Sequence, residues 1–347
     1  MSDTIDRYVA IDEEGYFMFD GQRVTDDDFG RLLLENLKPA EKDRLVTSMQ
    51  GQEAWVEHFD APIVARHVRL SEREGCGVID GPYHSTMEFS LASLCVDEWD
   101  RFHGLTDQQI PFVFSRSAQI EFFELLESFD DESVTVHGQR YATPAWLAPA
   151  NEVNTSPFWT NIYTTEEPRW ELGRENPILL SILPQLKLNK SRVLVLGCGS
   201  ANDAAHFAQQ GHMVTAVDFS AEAIQRAKAK YGGIENLTLV QADVFQLPTK
   251  MNSAFDLVFE HTLYCAISPD RRSDMVKVWK SCLGPQGNLL GIFFVNEKRQ
   301  GPPFGGSEWE VRERLKGSFD FLYWTRWRHS IDRRKSQELV VYAKLKT

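Results

Sequence analysis

The sequence predicts an α/β protein in which a doubly wound, mostly parallel sheet is preceded by a separate α+β domain. From Arg192 onward, short apolar runs alternate with segments of helical periodicity, a pattern typical of a parallel sheet covered by helices on both faces. Before about residue 145, strand-like runs and isolated helices follow one another without that alternation. The predicted boundaries are 1–145 for the first domain, 146–157 for a linker and 158–347 for the second domain.

The N-terminal domain is predicted from turn residues and local periodicity. A hairpin is expected around Glu13–Gly15, and a helix capped by aspartate over 26–38. Its histidines lack metal-ligand spacing, so no metal site is predicted. Dimerisation, covering of an active site and ligand sensing all remain open as its role. The other expected elements are strands at 55–59, 63–70, 86–94 and 110–115, a helix over 117–129 and a hairpin over 132–143.

The C-terminal domain is predicted from apolar runs that are bounded by glycine or serine residues. The last part of the chain, from Phe319, is expected to form an antiparallel hairpin at the sheet edge. The remaining expected elements are strands at 192–197, 212–220, 237–243, 255–261 and 288–295, and helices at 202–211, 220–233 and 274–287.

The amino-acid composition argues against nucleic-acid and membrane partners. The chain has 347 residues, 42% of them hydrophobic and 25% charged, with a formal net charge of −13. Nucleic-acid binding is not expected, because no basic run would attract phosphates. No apolar run is long enough to cross a membrane and no signal peptide is evident, so no membrane partner is expected. Five scattered cysteines without CxxC indicate reduced thiols and a cytoplasmic protein. A small-molecule substrate is the better expectation.

A glycine turn follows the first strand of the second domain. Gly197-Cys198-Gly199 comes directly after a buried strand and before a helix, where glycine lets the backbone approach a ligand. Nineteen residues after Gly199 the next strand ends in Asp218, which is placed to accept hydrogen bonds from ribose hydroxyls. Enzymes that bind NAD and enzymes that bind S-adenosylmethionine (SAM) both use this arrangement.

Two observations favour SAM over a dinucleotide. The pyrophosphate pattern G-x-G-x-x-G fails, because Asn202 stands at the third glycine position. The third strand ends at Asp243, where SAM enzymes hold the adenine amino group. The predicted cofactor contacts therefore include Asp218 and Asp243 with their neighbours Phe219 and Val244, besides Gly197, Cys198 and Gly199.

Four segments of the second half carry a family resemblance. They are FWTNIYTTEEPRWELGRENPILLSIL at 158–183, FDLVFEHTLYCAISPDRR at 255–272, GPPFGGSEWEVRERL at 301–315 and DRRKSQELVVYAKLK at 332–346. On these motifs the chain, from about residue 156 to 347, resembles the thiopurine S-methyltransferase family, which includes the plant halide and thiol methyltransferases. The N-terminal half takes no part in the resemblance.

The resemblance implies a Rossmann-like, class I methyltransferase fold. It also implies methyl transfer from SAM, which becomes S-adenosylhomocysteine, to a small soft nucleophile such as a thiol, a thiopurine or a halide. Trp159, Tyr163 and Trp170 are expected to cover the cofactor, because aromatic faces attract the sulfonium cation. The alternative for these three residues is a purely structural role in anchoring the first helix.

The turn after the fourth strand is expected to meet the acceptor. His261 is a candidate base or anion holder, Tyr264 a second candidate catalytic residue, and Glu260 a cofactor contact. A structural role for His261 is equally open. Phe304 replaces the tyrosine of the plant enzymes, which favours a larger or more apolar thiol over a bare halide. Methyl transfer to oxygen or nitrogen, a SAM-binding regulatory module, a nicotinamide-dependent dehydrogenase and a homodimer formed through the N-terminal domain also remain open.

Overall fold

The computed structural model describes residues 5–41, 43–165, 168–249 and 251–346, and the chain divides into two compact units. The main boundary lies between Ala148 and Pro149, inside the segment predicted as the linker. The sequence did not indicate that two short segments of the C-terminal half would group with the N-terminal half. Unit 1 comprises Met1–Ala148, Asn296–Arg299 and Ser307–Glu310, and unit 2 comprises Pro149–Val295, Gln300–Gly306 and Val311–Thr347.

Unit 1 is built mainly from short strands. Their orders are β3-β2-β1-β6-β5-β4, β10-β9-β8, β11-β12-β13-β7 and β14-β15-β16. The elements are β1 Tyr8–Ile11, β2 Phe17–Phe19, β3 Gln22–Arg23, α1 Asp27–Glu35, β4 Lys38–Ala40, β5 Arg44–Met49, β6 Gln52–His58, β7 Ile63–Ala65, β8 His67–Leu70, β9 Cys76–Asp80, β10 Thr86–Ser90, β11 Cys95–Val96, β12 Phe102–Leu105, β13 Pro111–Phe114, α2 Arg116–Leu125, β14 Ser128–Asp130, β15 Ser133–Val136 and β16 Gln139–Ala142.

Local signals account for several of these elements. The Asp26 carboxylate accepts the backbone N–H of Phe29 and begins α1, as predicted for a capped helix. Gly15, at a φ of +87°, lies in the tight turn between β1 and β2, so the first predicted hairpin is confirmed. The predicted strand over 63–70 is instead two strands in different sheets, because the chain leaves one sheet at Arg66.

Unit 2 is a seven-stranded sheet flanked by helices, with the order β19-β18-β17-β20-β21-β23-β22. The first five strands in this order are parallel, whereas β23 and β22 pair antiparallel at one edge. The elements are α3 Ser156–Thr165, α4 Pro177–Leu186, β17 Arg192–Leu196, α5 Asn202–Gln209, β18 Met213–Asp218, α6 Ala221–Tyr231, β19 Leu237–Gln241, β20 Phe255–His261, α7 Arg272–Cys282, β21 Leu283–Phe294, β22 Phe319–Arg326 and β23 Glu338–Leu345. Helix α8, Glu308–Lys316, begins in the Ser307–Glu310 segment of unit 1 and continues into unit 2.

The predicted α/β alternation and the antiparallel edge hairpin are confirmed in unit 2. One boundary was wrong: the helix expected over 274–287 ends at Cys282, and β21 begins at Leu283. Leu283 and Gly284 are buried in extended backbone beside β20, so sheet pairing overrides the helical pattern there.

The parallel strands place their carboxyl ends along one edge of the sheet. In doubly wound sheets, ligands bind in the crevice outside these ends. Strand β17 is apolar from Val193 to Leu196 because helices cover both of its faces. None of the helices in the described part of the chain is both long and apolar enough to cross a bilayer.

Candidate active site

A cavity of about 260 Å³ lies at the carboxyl ends of the parallel strands of unit 2. Two groups of lining residues matter for its chemistry. The strand-end group follows β17, β18 and β19 and comprises Gly197, Asp218, Phe219, Asp243 and Val244. The loop group comes from the connecting segments and comprises Arg169, Ile267, Arg271, Pro302, Pro303 and Arg333.

The turn after β17 requires glycine at both predicted positions. Gly197 has a φ of +60° and Gly199 a φ of +53°, the left-handed region that other residues adopt at a cost. A Cβ on Gly199 would lie 2.4 Å from Glu171 Oε1 and 2.8 Å from the Tyr163 hydroxyl. Gly197 lines the cavity and Gly199 lines a smaller one beside it, so the glycines permit a close approach of the chain between the two.

Asp218 is held by the backbone on both of its oxygens. Oδ2 accepts the N–H of Gly199 at 2.8 Å, and Oδ1 accepts the N–H of Ser220 at 2.8 Å. Burial raises the pKa of this carboxyl to about 6. Each oxygen retains a lone pair, so the carboxylate can still accept hydrogen bonds from two vicinal hydroxyls.

The structure places Asp243, Val244 and Phe219 in the same lining. Asp243 Oδ1 accepts the N–H of Phe245 at 2.9 Å, which turns the chain after β19. Together with Asp218, it presents two hydrogen-bond acceptors among apolar walls. An arrangement of this kind suits a nucleoside, whose sugar and base offer donors and an apolar ring.

Three aromatic residues predicted to cover the cofactor also line the cavity. The Tyr163 hydroxyl accepts the Trp170 indole N–H at 3.0 Å and donates to Glu171 at 3.2 Å. The Trp159 ring meets that of Trp170 edge to face at 5.6 Å, and its indole N–H donates to the Val153 carbonyl. The three side chains thus form one bonded aromatic wall.

Glu171 is a site residue that the sequence analysis missed. Its Oε1 accepts the backbone N–H of Ser200 at 2.8 Å, and its Oε2 accepts the Asn202 side-chain amide at 3.3 Å. These donors lie at the start of α5, where a dinucleotide-binding protein would hold a pyrophosphate. Because a carboxylate already occupies that place, phosphate binding there is disfavoured. Glu171 lies within the Trp-x-x-Gly motif that contributes to the family resemblance, and that motif could have indicated it as a site residue.

His261 lies outside the large cavity, and both of its ring nitrogens are bonded. Nδ1 lies 2.8 Å from Asp203 Oδ2, while Nε2 faces the Asn176 amide nitrogen at 2.8 Å and an Arg334 nitrogen at 3.0 Å. The side-chain amide oxygen of Asn176 accepts the backbone N–H of Ile178. The side-chain nitrogen of Asn176 is therefore the atom that faces the His261 ring. Both ring nitrogens are thus engaged by protein partners, and the expected role of His261 as a base or anion holder stays a prediction.

Tyr264 and Glu260 also lie away from the cavity lining. The Tyr264 ring is buried and meets the rings of Trp279 at 6.0 Å and Phe293 at 5.4 Å. Glu260 is fully buried; its Oε1 accepts the Tyr264 N–H at 2.6 Å, and its Oε2 has no hydrogen-bond partner among the described residues. Burial raises the pKa of Glu260 to about 7. These contacts hold both residues in the turn after β20, and their expected roles at the ligand stay predictions.

The cysteines near the site are not activated as nucleophiles. Burial raises the pKa of Cys265 to about 12, and it raises that of Cys198 well above the ordinary thiol value. A thiolate, and not a thiol, is the reactive form. Cys265 lines the cavity, whereas Cys198 lies at the smaller cavity beside the glycine turn.

The Gly-Pro-Pro loop reaches the cavity through its prolines. Pro302 and Pro303 line it, whereas the Phe304 ring is 2% exposed and lies in the protein interior. The Phe304 N–H donates to the Cys265 carbonyl at 2.7 Å, which fixes the loop. Phe304 is not among the lining residues, so the inference that it sets acceptor size loses its basis.

Four arginines that line the cavity were not predicted as site residues. Arg169, Arg271, Arg333 and Arg334 come from three distant segments and all line the cavity. Only Arg271 had a sequence signal, as the arginine after the Ala-Ile-x-Pro motif. The other three arginines are brought to the cavity by the tertiary fold, which the sequence pattern does not reveal.

Comparison with known proteins finds relatives of the second half of the chain. The family model described as Thiopurine S-methyltransferase matches residues 154–342. Thiocyanate methyltransferase 1 from Arabidopsis thaliana is 30% identical over 151 residues, which cover 42% of this chain and 65% of that protein. Thiopurine S-methyltransferase from Shewanella loihica is 24% identical over 180 residues, covering 47% of this chain and 83% of that protein.

Among solved structures, the N-methyltransferase NodS from Bradyrhizobium japonicum, determined with S-adenosyl-L-homocysteine, is 17% identical with a TM-score of 0.47. The match covers 56% of this chain and all of that one. The chain thus spans just under two thirds of the length of the plant thiocyanate methyltransferase. Most of the residues matched by the family model, 154–342, belong to unit 2.

Proposed function

This chain belongs to the thiopurine S-methyltransferase family, and on that premise we propose that it is a SAM-dependent methyltransferase whose acceptor is a small thiol. The observation that carries the proposal is that one cavity joins the strand-end group to the loop group. A nucleoside and a small acceptor could therefore bind next to each other in the same cavity.

The residues of the strand-end group fit SAM on their donor and acceptor chemistry. Asp218 would accept the ribose hydroxyls, Asp243 the adenine amino group, and Phe219 and Val244 would flank the base. Glu171, which contacts the start of α5, would disfavour a phosphate there but could accept hydrogen bonds from the α-ammonium group of SAM. When bound, SAM supplies an electrophilic methyl group on a sulfonium cation, and the wall of Trp159, Tyr163 and Trp170 favours that charge.

The protein's part in the transfer is positioning. In-line attack needs the acceptor atom about 3–3.5 Å from the methyl carbon, with water excluded. The prolines of the Gly-Pro-Pro loop and Ile267 supply an apolar wall for this purpose. Fixing an ionised thiol against this wall accounts for the chemistry without a covalent enzyme intermediate.

Deprotonation of the acceptor does not require a side-chain base here. Among the described lining residues, the only carboxylates are Asp218 and Asp243, and no histidine is present. A free thiol has a pKa of about 8.5, so a fraction is ionised near neutral pH. Soft acceptors that ionise unaided fit this site better than alcohols, which would need a base. Methyl transfer to nitrogen or oxygen is accordingly the second candidate, and a regulatory SAM-binding module the third.

The test is a screen of thiols, thiopurines, halides, amines and phenols with methyl-labelled SAM and the full chain. We expect label transfer to thiols above all. SAM binding without transfer to any acceptor would favour the regulatory alternative, and transfer to amines or phenols alone would contradict the sulfur assignment. A cytoplasmic location and a homodimer formed through the N-terminal half stay predictions from the sequence.

A further inference from the structure

The lining of the cavity has a charge opposite to that of the whole chain. The chain carries a net charge of −13, yet four arginines and only two aspartates line the cavity. Both aspartates belong to the strand-end group and accept backbone N–H bonds. The positive charge is therefore concentrated in the part of the lining left for the acceptor.

Three of the four arginines have no carboxylate partner among the described residues. Arg334 is the exception, since it donates to Glu338 Oε1 at 3.1 Å and to the Trp170 carbonyl at 3.1 Å. Arg169, Arg271 and Arg333 make no such ion pair, and the Arg271 guanidinium lies 3.5 Å from the centroid of the Phe245 ring. Stacking of this kind orients a guanidinium without neutralising its charge.

These arginines come together from three parts of the chain. Arg169 precedes the aromatic Trp170, Arg271 lies just before α7, and Arg333 lies in the short turn before β23. Burial lowers the pKa of Arg333, the charge of Arg334 lowers it further, and the carboxylate of Glu338 opposes both effects. An anion placed among the three would accept charge-assisted hydrogen bonds from their guanidinium groups.

We propose that Arg169, Arg271 and Arg333 form an anion subsite which selects a thiol that also carries a carboxylate on an apolar body. The apolar part would lie against Ile267, Pro302 and Pro303, and the carboxylate would meet the arginines. The inference rests on the proposed function and names the substrate class of that site. In the reaction, the thiolate forms a bond to the methyl carbon, the bond from carbon to sulfonium breaks, and its electron pair returns to the cofactor sulfur. The thiol proton has already passed to solvent.

The experiment compares a matched pair of acceptors, 4-mercaptobenzoate and 4-mercaptobenzamide, with methyl-labelled SAM at saturation. The assay uses a pH at which both thiols are ionised. We expect kcat/KM for the carboxylate to exceed that for the amide by at least about tenfold, because charge-assisted hydrogen bonds are stronger than neutral ones. The difference should come from a lower KM for the carboxylate. In Arg271→Gln and Arg333→Gln, the ratio should fall toward one while the KM for SAM stays unchanged. Arg116→Gln in α2, outside the cavity lining, is the control and should keep the wild-type ratio.

Each other outcome has a distinct meaning. If the wild type methylates both compounds equally well, the anion subsite is refuted and the thiol methyltransferase function stands. If the variants raise the KM for SAM and leave the ratio unchanged, the arginines bind the carboxylate of the cofactor instead, which also overturns the proposal. If no thiol is methylated under any condition, the proposed function itself fails.

Discussion

The strand-end group and the loop group of the cavity differ in how their charged side chains are held. Asp218 and Asp243 are fixed by backbone N–H donors close to them in the fold. Arg169, Arg271 and Arg333 have no ion pair among the described residues. The first group is thus set in place before any ligand arrives, whereas the second leaves charge available for a ligand to neutralise. This difference suggests that cofactor binding is built into the sheet and that acceptor choice depends on loops.

The largest expected effect comes from removing the fixed carboxylate. Asp218→Ala should weaken SAM binding on the order of 100-fold or more, because two hydrogen bonds to a charged group are lost. The N–H groups of Gly199 and Ser220 would also lose their acceptor. Isothermal calorimetry measures the change, with Asp320→Ala on the exposed part of β22 as the control. Unchanged affinity in Asp218→Ala would remove this residue from the cofactor site.

A methyl group on the glycine turn should be the next most damaging change. Gly199→Ala forces a left-handed backbone and places Cβ against Glu171 and Tyr163, so we expect SAM affinity to fall by about tenfold or more. Gly233→Ala is a matched control, because nothing lies within 4 Å of a Cβ at that position. Equal affinities in the two variants would mean that the turn tolerates a side chain and is not tightly constrained.

The protonation of Asp218 should make SAM affinity depend on pH. Burial raises the pKa of this carboxyl to about 6, and the ionised form accepts stronger hydrogen bonds from ribose hydroxyls than the protonated form does. Affinity is therefore full above this pKa and is lost as the pH falls through it, by roughly three- to tenfold between pH 7 and pH 5. Asp218→Asn should bind weakly at all pH values and show a flat profile over this range. An unchanged slope in the variant would assign the pH dependence to another group.

The smallest effect on catalysis is expected at His261. Because its ring nitrogens contact Asp203, Asn176 and Arg334, His261→Ala should lower the free energy of unfolding by about 1–3 kcal/mol. We expect kcat to fall less than about tenfold, whereas loss of a general base costs a factor on the order of 100 to 10,000. Chemical denaturation and steady-state kinetics check both, with the exposed His329→Ala as the control. A large loss of kcat at unchanged stability would restore His261 as a base.

The two groups also differ in how far sequence alone could predict them. Gly197, Asp218 and Asp243 come directly after apolar strands, and parallel strands carry their carboxyl ends to the same edge. Local pattern was therefore sufficient to bring these residues together. Glu171, Arg169 and Arg333 lie in irregular segments. Such segments have no periodic pattern of apolar residues from which their position in the fold could be predicted.

The turn after β20 shows a second limit of sequence reasoning. Glu260, His261 and Tyr264 were expected to meet ligands because they follow the fourth strand. Successive strand residues face opposite sides of a sheet, so a shift of one position decides whether a side chain reaches the cavity. The structure directs Glu260 and Tyr264 into the protein interior and His261 toward Asp203. The Gly-Pro-Pro loop was likewise recognised, but its prolines line the cavity and Phe304 does not.

The most direct test of the account follows the labelled methyl group from SAM to its acceptor. Mass spectrometry of a reaction with labelled SAM and 4-mercaptobenzoate locates the label on the product. We predict a labelled thioether that forms at a rate proportional to enzyme concentration and is strongly reduced in Asp218→Ala. A label found on oxygen or nitrogen, or tight SAM binding with no labelled thioether from any thiol tested, would contradict it.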